Sequence, residues 1–314
     1  MKPLPSPGGR VLVIGSAGLD LIGRPLASLQ LATSNPGRLR MSYGGVARNV
    51  AENLARLGTE TALITAVGDD AQGHQLLAHA AEAGIDVEAA LQVAGQRTSA
   101  YLAVLDEGGS LHLALDDMGI LDCLTPEYLR SQRELFEGAS VVFLDANLSP
   151  KALAAAVALC RRADVPLVAD PTSAQLAPRL LPHLRDLWMV TPNEMQAGIL
   201  CPHPVPHADR DRALDSARHL VSAGVGIALL TMAEFGVCYA TAESSGHVPA
   251  IVTEIHDPTG AGDALTAAVL FALLNEIPVD EAVRLGAAAA ALTLRTPGSV
   301  VPDLSLEMLY DQLR

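Results

Sequence analysis

Short, uninterrupted apolar runs recur along the chain at 11–14, 62–67, 141–144, 167–169, 188–190 and 227–230. Each is too short for a helix and too continuous for a strand with one wet face, so these runs predict strands buried on both faces of a parallel sheet. Helical spacing fills the intervals. Val46, Val50, Leu54 and Leu57 form an apolar stripe that Gly58 can end as a C-cap, and 71–83, 264–275 and 281–294 predict further helices. A turn is expected at 84–86. The alternation predicts an α/β protein with a doubly wound, mostly parallel sheet.

Two segments interrupt that rhythm. Residues 19–43 lose helical periodicity and carry Gly, Pro and Arg. Residues 98–105 and 111–115 flank Asp106-Glu107-Gly108-Gly109-Ser110, with Leu111, Leu113 and Leu115 alternating on one side, which predicts a hairpin. A hairpin set between βα units does not readily join a parallel sheet. Segments at approximately 19–43 and 97–118 are therefore expected to pair as a small β-sheet lid inserted in a single domain spanning 1–314. Exposed strand edges and an apolar lid face predict a homodimer through the lid.

The candidate chemistry lies where a strand-like run at 250–255 meets Asp257-Pro258-Thr259-Gly260-Ala261-Gly262-Asp263 and a helix begins. Free N–H groups of Gly260, Ala261 and Gly262 in the first helical turn, with the macrodipole, favour an anion, and the small side chains admit a phosphate. Asp263 would repel that phosphate unless it receives a proton from an attacking hydroxyl. The other reading is an Asp that caps a helix after a glycine turn. The helix terminus is expected to keep the carboxylate ionised and weakly basic, so that positioning matters more than basicity. Gly44-Gly45 opens a helix with Asn49 in its first turn, where the amide meets a polyhydroxyl ligand or faces solvent. Asp145, Asp170, Asn193 and Thr231 follow apolar runs, at the strand ends where open α/β sheets bind ligands; helix capping explains any one of them alone.

Composition then removes several function classes. A chain of 314 residues suits one large α/β unit with a small appendage. With 21 Lys and Arg against 35 Asp and Glu, a net charge of −14 and one Trp, five Tyr and four Phe, nucleic-acid binding is disfavoured for want of cations and stacking surface. Cys123, Cys160, Cys201 and Cys238 form no Cys-x-x-Cys pair and suit a reducing cytoplasm. Residues 1–9 are rich in Pro and Gly and read as a loose tail with no apolar h-region, and the apolar stretch 264–274 is too short to cross a bilayer, so no membrane partner is expected. Prolines around Cys201, His203 and His207 forbid a helical metal face, which leaves a surface loop. Walker, dinucleotide, Gly-x-Ser-x-Gly and His-Glu-x-x-His motifs are absent.

Gly44-Gly45-Val46-Ala47-Arg48-Asn49 resembles the first signature, and Asp257-Pro258-Thr259-Gly260-Ala261-Gly262-Asp263 the second, of the ribokinase-like carbohydrate kinases, the PfkB family. The resemblance covers nearly the whole chain and implies a three-layer α/β/α sandwich with a β-sheet lid. It implies transfer of the γ-phosphate of ATP, with Mg2+, to a sugar hydroxyl, commonly the 5-position of a ribosyl group. Asp263 would be the base, Gly260, Ala261 and Gly262 the anion hole, and Asp20, Gly44, Gly45 and Asn49 the holders of sugar hydroxyls. Tyr43 and Tyr101 either stack on a base or pack the lid. Asn193, Thr231 and Gly236 match nucleotide-binding positions, and Asp257 with Thr259 would border a monovalent-cation loop for K+. In Thr191-Pro192-Asn193-Glu194-Met195-Gln196 the family's magnesium-organising Glu is Gln196, so either Glu194 compensates or the metal site is weaker. Ala233 also replaces a usual glycine. These departures leave a non-catalytic sugar- or nucleotide-binding regulator as the alternative class. The string 44–58 with Asp170-Pro171-Thr172-Ser173 is most similar to the pseudouridine kinases of this family, which implies pseudouridine 5'-phosphate as product; a free sugar or another nucleoside is the alternative acceptor.

Overall fold

Alternate residues of the central strands feed two separate cores, which is why their sequences read as unbroken apolar runs. Val11, Val13, Val141 and Phe143 pack with helices Val46–Arg56, Ala261–Leu274 and Val279–Leu294. Leu12, Ile14, Val142 and Leu144 pack on the other face with helix Pro150–Ala163, and the same core takes in helix Arg210–Ser222. The result is a helix–sheet–helix sandwich. The structure is a computed structural model that describes residues 8–108 and 111–314. The first seven residues of the expected tail, and Gly109 and Ser110 of the expected hairpin turn, lie outside them.

Among the described residues the main sheet has nine strands, in the order Ser245–Val248, Val237–Ala240, Ile227–Thr231, Leu187–Val190, Leu167–Asp170, Val141–Asp145, Val11–Ile14, Thr61–Ile64 and Ile85–Asp86. The two pairings at the Ser245–Val248 edge are antiparallel and the others parallel. Three local expectations need correction. The run 62–67 divides, since Thr61–Ile64 stays in the main sheet while Ala66–Gly68 pairs with Leu91–Val93 in a separate ribbon. Residues 84–86 contain the short edge strand Ile85–Asp86 and are more than a turn. The run 250–255 is no strand, because Pro249 lacks the N–H that would continue the ladder from Ser245–Val248.

Val11–Ile14 has Thr61–Ile64 on one side and Val141–Asp145 on the other, both parallel to it, so the order in which strands join the sheet reverses beside it and leaves a crevice at the carboxyl ends. Asp145 closes the bottom of that crevice. Its buried carboxylate accepts hydrogen bonds from Ser16 N (2.8 Å), Ser16 Oγ (2.7 Å), Ala47 N (3.1 Å) and Asn147 N (3.0 Å). Two glycines make the approach possible, since a Cβ at Gly15 would overlap the Asp145 carboxylate and one at Gly45 (φ 97) the Ser16 backbone. Helix Ala261–Leu274 starts at the same crevice and is buried on every side from Ala264 to Leu274 between its two neighbours.

A second sheet stands over the crevice, with strands in the order Gly37–Gly44, Gly18–Pro25, Ser99–Leu105 and Leu111–Asp117. The segments expected to pair do so, with an unanticipated parallel seam between Gly18–Pro25 and Ser99–Leu105. Strand parity places Ser42, Asp20, Tyr101 and Asp116 in one row on one face. The opposite face exposes Leu39 (80%), Met41 (62%) and Leu115 (60%).

Asp145→Ala strands four donors at once. We expect a loss of about 3 kcal/mol or more in unfolding free energy, read from urea denaturation.

Candidate active site

Gly260 turns the chain into helix Ala261–Leu274 at φ 81, with its α-carbon so close to the Ser299 carbonyl that a Cβ would overlap it. Only glycine suits that turn. Among the described residues, the N–H groups of Gly260, Ala261 and Gly262 meet no protein acceptor, and they open on the crevice as a set of free donors. The geometry is that of an anion site at a helix mouth.

Asp263 stands in the first turn beside these donors. Asn49 Nδ2 donates to its Oδ2 at 2.6 Å, and Asn49 is buried, so the solvent-facing alternative for that amide falls away. The direction of the amide is fixed from behind. Asn49 Oδ1 accepts from Arg48 and from Ser299 Oγ (3.0 Å), which leaves Nδ2 for the carboxylate. Arg48 is itself buried, donating to the Tyr43 carbonyl (2.6 Å) and Ser299 Oγ (2.8 Å) and paired with Glu52.

Burial pushes the Asp263 carboxyl up to about 8, helped by Asp170 and Asp145 and opposed by the Asn49 hydrogen bond and Arg48. The expectation of an ordinary ionised carboxylate is thus corrected, because desolvation and two like charges outweigh the helix terminus. Burial likewise raises Asp170 to about 6, although Thr172 N (2.7 Å) and Thr191 Oγ1 (2.9 Å) donate to it.

Across the crevice, Asp20 is buried, its carboxylate meets no protein hydrogen-bond donor among the described residues, and burial lifts it to about 6. A Cβ at Gly44 would overlap that carboxylate, so the glycine makes its room. Tyr101 is its register neighbour, and its phenol is raised by burial and then by Asp20. Tyr43 points from the other face and tilts against His79 at 4.8 Å, a packing role.

A cleft of about 470 Å³ runs from Ala261 and Gly262 between Asn193, Thr231 and Gly236 on one side and Ile251, Leu265 and Leu294 on the other. Its polar end is the helix mouth and most of its remaining wall is apolar, which fits a nucleotide with its phosphates at the amides. Thr231 bridges to Asn193, and Gly236 (φ 94) has its α-carbon against the Val248 carbonyl. Ala233 adopts φ 46, a left-handed conformation that glycine takes at less cost.

The two expected magnesium residues are engaged elsewhere. Glu194 accepts from Ala208 N (2.8 Å) and His207 Nδ1 (2.9 Å) in the loop beyond its helix. Gln196 Oε1 accepts from Asn193 N and Asn193 Oδ1 from Gln196 N, both at 2.9 Å, a capping box that starts helix Glu194–Leu200. Among the described residues no three acidic, imidazole or thiol groups converge as a metal site. An ion held by nucleotide phosphates, waters and one carboxylate needs no such cluster.

Asp257 and Thr259, expected to border a K+ loop, are engaged with protein groups. Thr259 N donates to Asp257 Oδ1 at 2.9 Å, and the Arg40 guanidinium from the small sheet pairs with Oδ2, so this carboxylate does not fit a metal ligand. Sequence reading missed Arg40, Arg48 and Ser299. Strand parity with Asp20 would have put Arg40 on the crevice face; nothing local marks Ser299.

Asp263 has a higher pKa folded, about 8, than its ordinary value of 3.8, so folding favours its protonated form. That contribution is complete below pH 4 and is lost as pH rises toward 8. Asp263→Asn, neutral throughout, should gain stability over the unaltered protein across this window, melting about 1–4 °C higher at pH 8.5 and level with it at pH 4 by scanning fluorimetry.

The chain is 35% identical over 298 residues to pseudouridine kinase of Escherichia coli, covering 94% of each chain. It is 29% identical to guanosine-inosine kinase of Exiguobacterium acetylicum, covering 94% of this chain and 98% of that one. Arabidopsis thaliana ribokinase, solved with ribose and ATP, superposes with a TM-score of 0.83 at 21% identity over 98% and 99% of the two chains. The model of the pfkB family carbohydrate kinases matches residues 9–305. The chain therefore belongs to the pfkB family of carbohydrate kinases, phosphotransferases that act on the hydroxyl groups of sugars and nucleosides.

Proposed function

We propose that the protein phosphorylates the 5'-hydroxyl of a ribosyl nucleoside, with pseudouridine as acceptor and pseudouridine 5'-phosphate as product. The observation that carries the reading is the 2.6 Å bond that turns Asp263 toward Asn49 beside the free amides of 260–262. Similarity to the E. coli pseudouridine kinase supports the acceptor.

In this reading Asp20, the Gly44–Gly45 backbone and Asn49 hold ribosyl hydroxyls, and Tyr101 lies along the base. MgATP, in the cleft by Asn193, Thr231 and Gly236, would supply the γ-phosphoryl group, and Asp170, a strand-end carboxylate, would hold a water of the magnesium ion. The acceptor oxygen forms its bond to phosphorus as the bond to the ADP oxygen breaks, and the acceptor proton passes to Asp263. A carboxylate that has lost its proton near pH 8 accepts one more readily than an ordinary aspartate. The amides of Gly260, Ala261 and Gly262 take the charge on the transferring group.

Residues 1–314 would act as one catalytic domain, with a lid formed by approximately 19–43 and 97–118. We place the protein in the cytoplasm, a reading that rests on four cysteines spread far apart in the sequence with no Cys-x-x-Cys pair; among the described residues no helix is long and apolar enough to cross a membrane. The exposed apolar lid face supports a homodimer with the two lids in contact.

With MgATP and a panel of pseudouridine, uridine, adenosine, inosine and ribose, ADP release should be fastest with pseudouridine, by about tenfold in kcat/KM, a gap typical of one or two pocket contacts. Asp263→Asn should lower kcat by about 10²–10⁴. A faster purine nucleoside or ribose would move the acceptor; an Asp263→Asn protein at full rate would remove the base. Light scattering at micromolar concentration should give twice the chain's 32.7 kDa. Met41→Glu with Leu115→Glu should halve it, and a monomeric unaltered protein would refute the interface.

A further inference from the structure

Asp257 stands at the foot of the phosphate-binding turn and is only 3% exposed. The turn itself satisfies one of its oxygens, through Thr259 N at 2.9 Å. A carboxylate so enclosed needs a cation or a further donor for the other. Arg40 brings one from strand Gly37–Gly44 of the small sheet, 217 residues away in sequence. Ile22 is its register partner, one row along from Asp20, so Arg40 and Asp20 share the face that looks into the crevice.

The position is electrostatically specific. Asp20 feels Arg40 as an attraction and Asp257 as a repulsion, so the guanidinium lies among the acid that faces the acceptor and the acid that braces the turn. Among the described residues Arg40 Nε is a buried donor without a partner, although the side chain as a whole is 37% exposed. Without Arg40, Asp257 would carry an uncompensated negative charge next to amides that must receive a phosphate.

We propose that Arg40 is a tethered cation for the phosphate-binding turn: it neutralises and braces Asp257 where a monovalent metal ion was expected, so the turn is set when the small sheet seats over the crevice and transfer needs no K+. The inference rests on the kinase reading of this site and adds to it the source of the cation. It also joins the two halves of the reaction, because the strand pair that carries the acceptor's acid delivers the phosphate turn's counter-charge.

The test compares the full chain with Arg40→Ala, Arg40→Lys and the double variant Arg40→Ala with Asp257→Asn. Initial rates are taken in KCl, NaCl and tetramethylammonium chloride at one ionic strength. The unaltered protein should run within twofold in all three. Arg40→Ala should lose at least tenfold in kcat/KM for ATP in tetramethylammonium and regain at least fivefold in K+. Arg40→Lys should recover much of the loss without K+, and the double variant should lose the K+ response. A second readout does not need turnover: K+ should raise the melting temperature of Arg40→Ala and leave that of the unaltered protein in place, while hydrogen exchange at 257–263 quickens in Arg40→Ala. Activation of the unaltered protein by K+ severalfold, or an Arg40→Ala protein with unchanged rate, melting and exchange, overturns the proposal. Absence of turnover by the unaltered protein with every acceptor would instead count against the acceptor reading, and the melting and exchange comparison would still decide the role of Arg40.

Discussion

Like charges crowded into one crevice are the constraint on which the rest of the molecule depends. Burial raises the cost of ionising Asp145, Asp170 and Asp263 alike, Asp145 adds to the rise at Asp170, and both add to the rise at Asp263. A chain selected for stability alone would not gather them. The fold tolerates the crowding through donors spent on each acid: backbone amides and Ser16 for Asp145, Thr172 and Thr191 for Asp170, Asn49 for Asp263. After that compensation Asp170 still stands at about 6 and Asp263 at about 8, and the more strongly raised of the two is the one beside the free amides.

The helical layer explains how that carboxyl is placed. Helix Ala261–Leu274 is apolar on every side and clamped between two helices, so it has no freedom to slide or roll. Gly286 allows the close packing, since a Cβ there would come within 3.1 Å of the Leu265 carbonyl. A rigid helix fixes its first turn, and the Gly260–Ser299 approach fixes where the chain enters it. Arg48 does the corresponding work for Asn49. Its guanidinium is tied to the Tyr43 carbonyl and Glu52 nearby in the chain and to Ser299, 251 residues away, so the amide that faces Asp263 is held from both its own helix and the C-terminal part of the chain. Pre-organisation of this kind is how a site holds charge it has not yet used.

Much of the architecture was legible in the residues, because buried parallel strands write themselves as apolar runs and turns as glycine pairs. The glycine turn into helix Ala261–Leu274, with Asp263 in its first turn, was legible for the same reason: short motifs ahead of a helix have few structural solutions. Failures arose where a residue's partner lay far along the chain. The run 250–255 has strand composition, but pairing is a tertiary fact and Pro249 ends the ladder before it. Gln196 and Glu194 sit where a metal-organising pair was expected, but a capping box and a loop 13 residues on claim their oxygens. Asp257 carried no sign of Arg40, and the basicity of Asp263 depended on acids brought in by other strands.

These long-range dependencies share a direction. Asp20 comes from the small sheet, Asp263 and the amides from the helical layer, and Asp145 and Asp170 from the main sheet, so no single layer holds a working set. Water can enter a crevice open to solvent, and a phosphate turn fully formed there would expose ATP to hydrolysis. On the proposal for Arg40, the turn lacks its counter-charge until the small sheet is seated, and the acid that receives the acceptor is seated by the same movement. Acceptor hydroxyls on Asp20 then favour the arrangement in which Asp257 is neutralised, whereas a water molecule offers too few contacts to do so. Discrimination between an alcohol and water would thus rest on the assembly of the site and not on the chemistry of Asp263, which on the proposed reading would receive a proton from either.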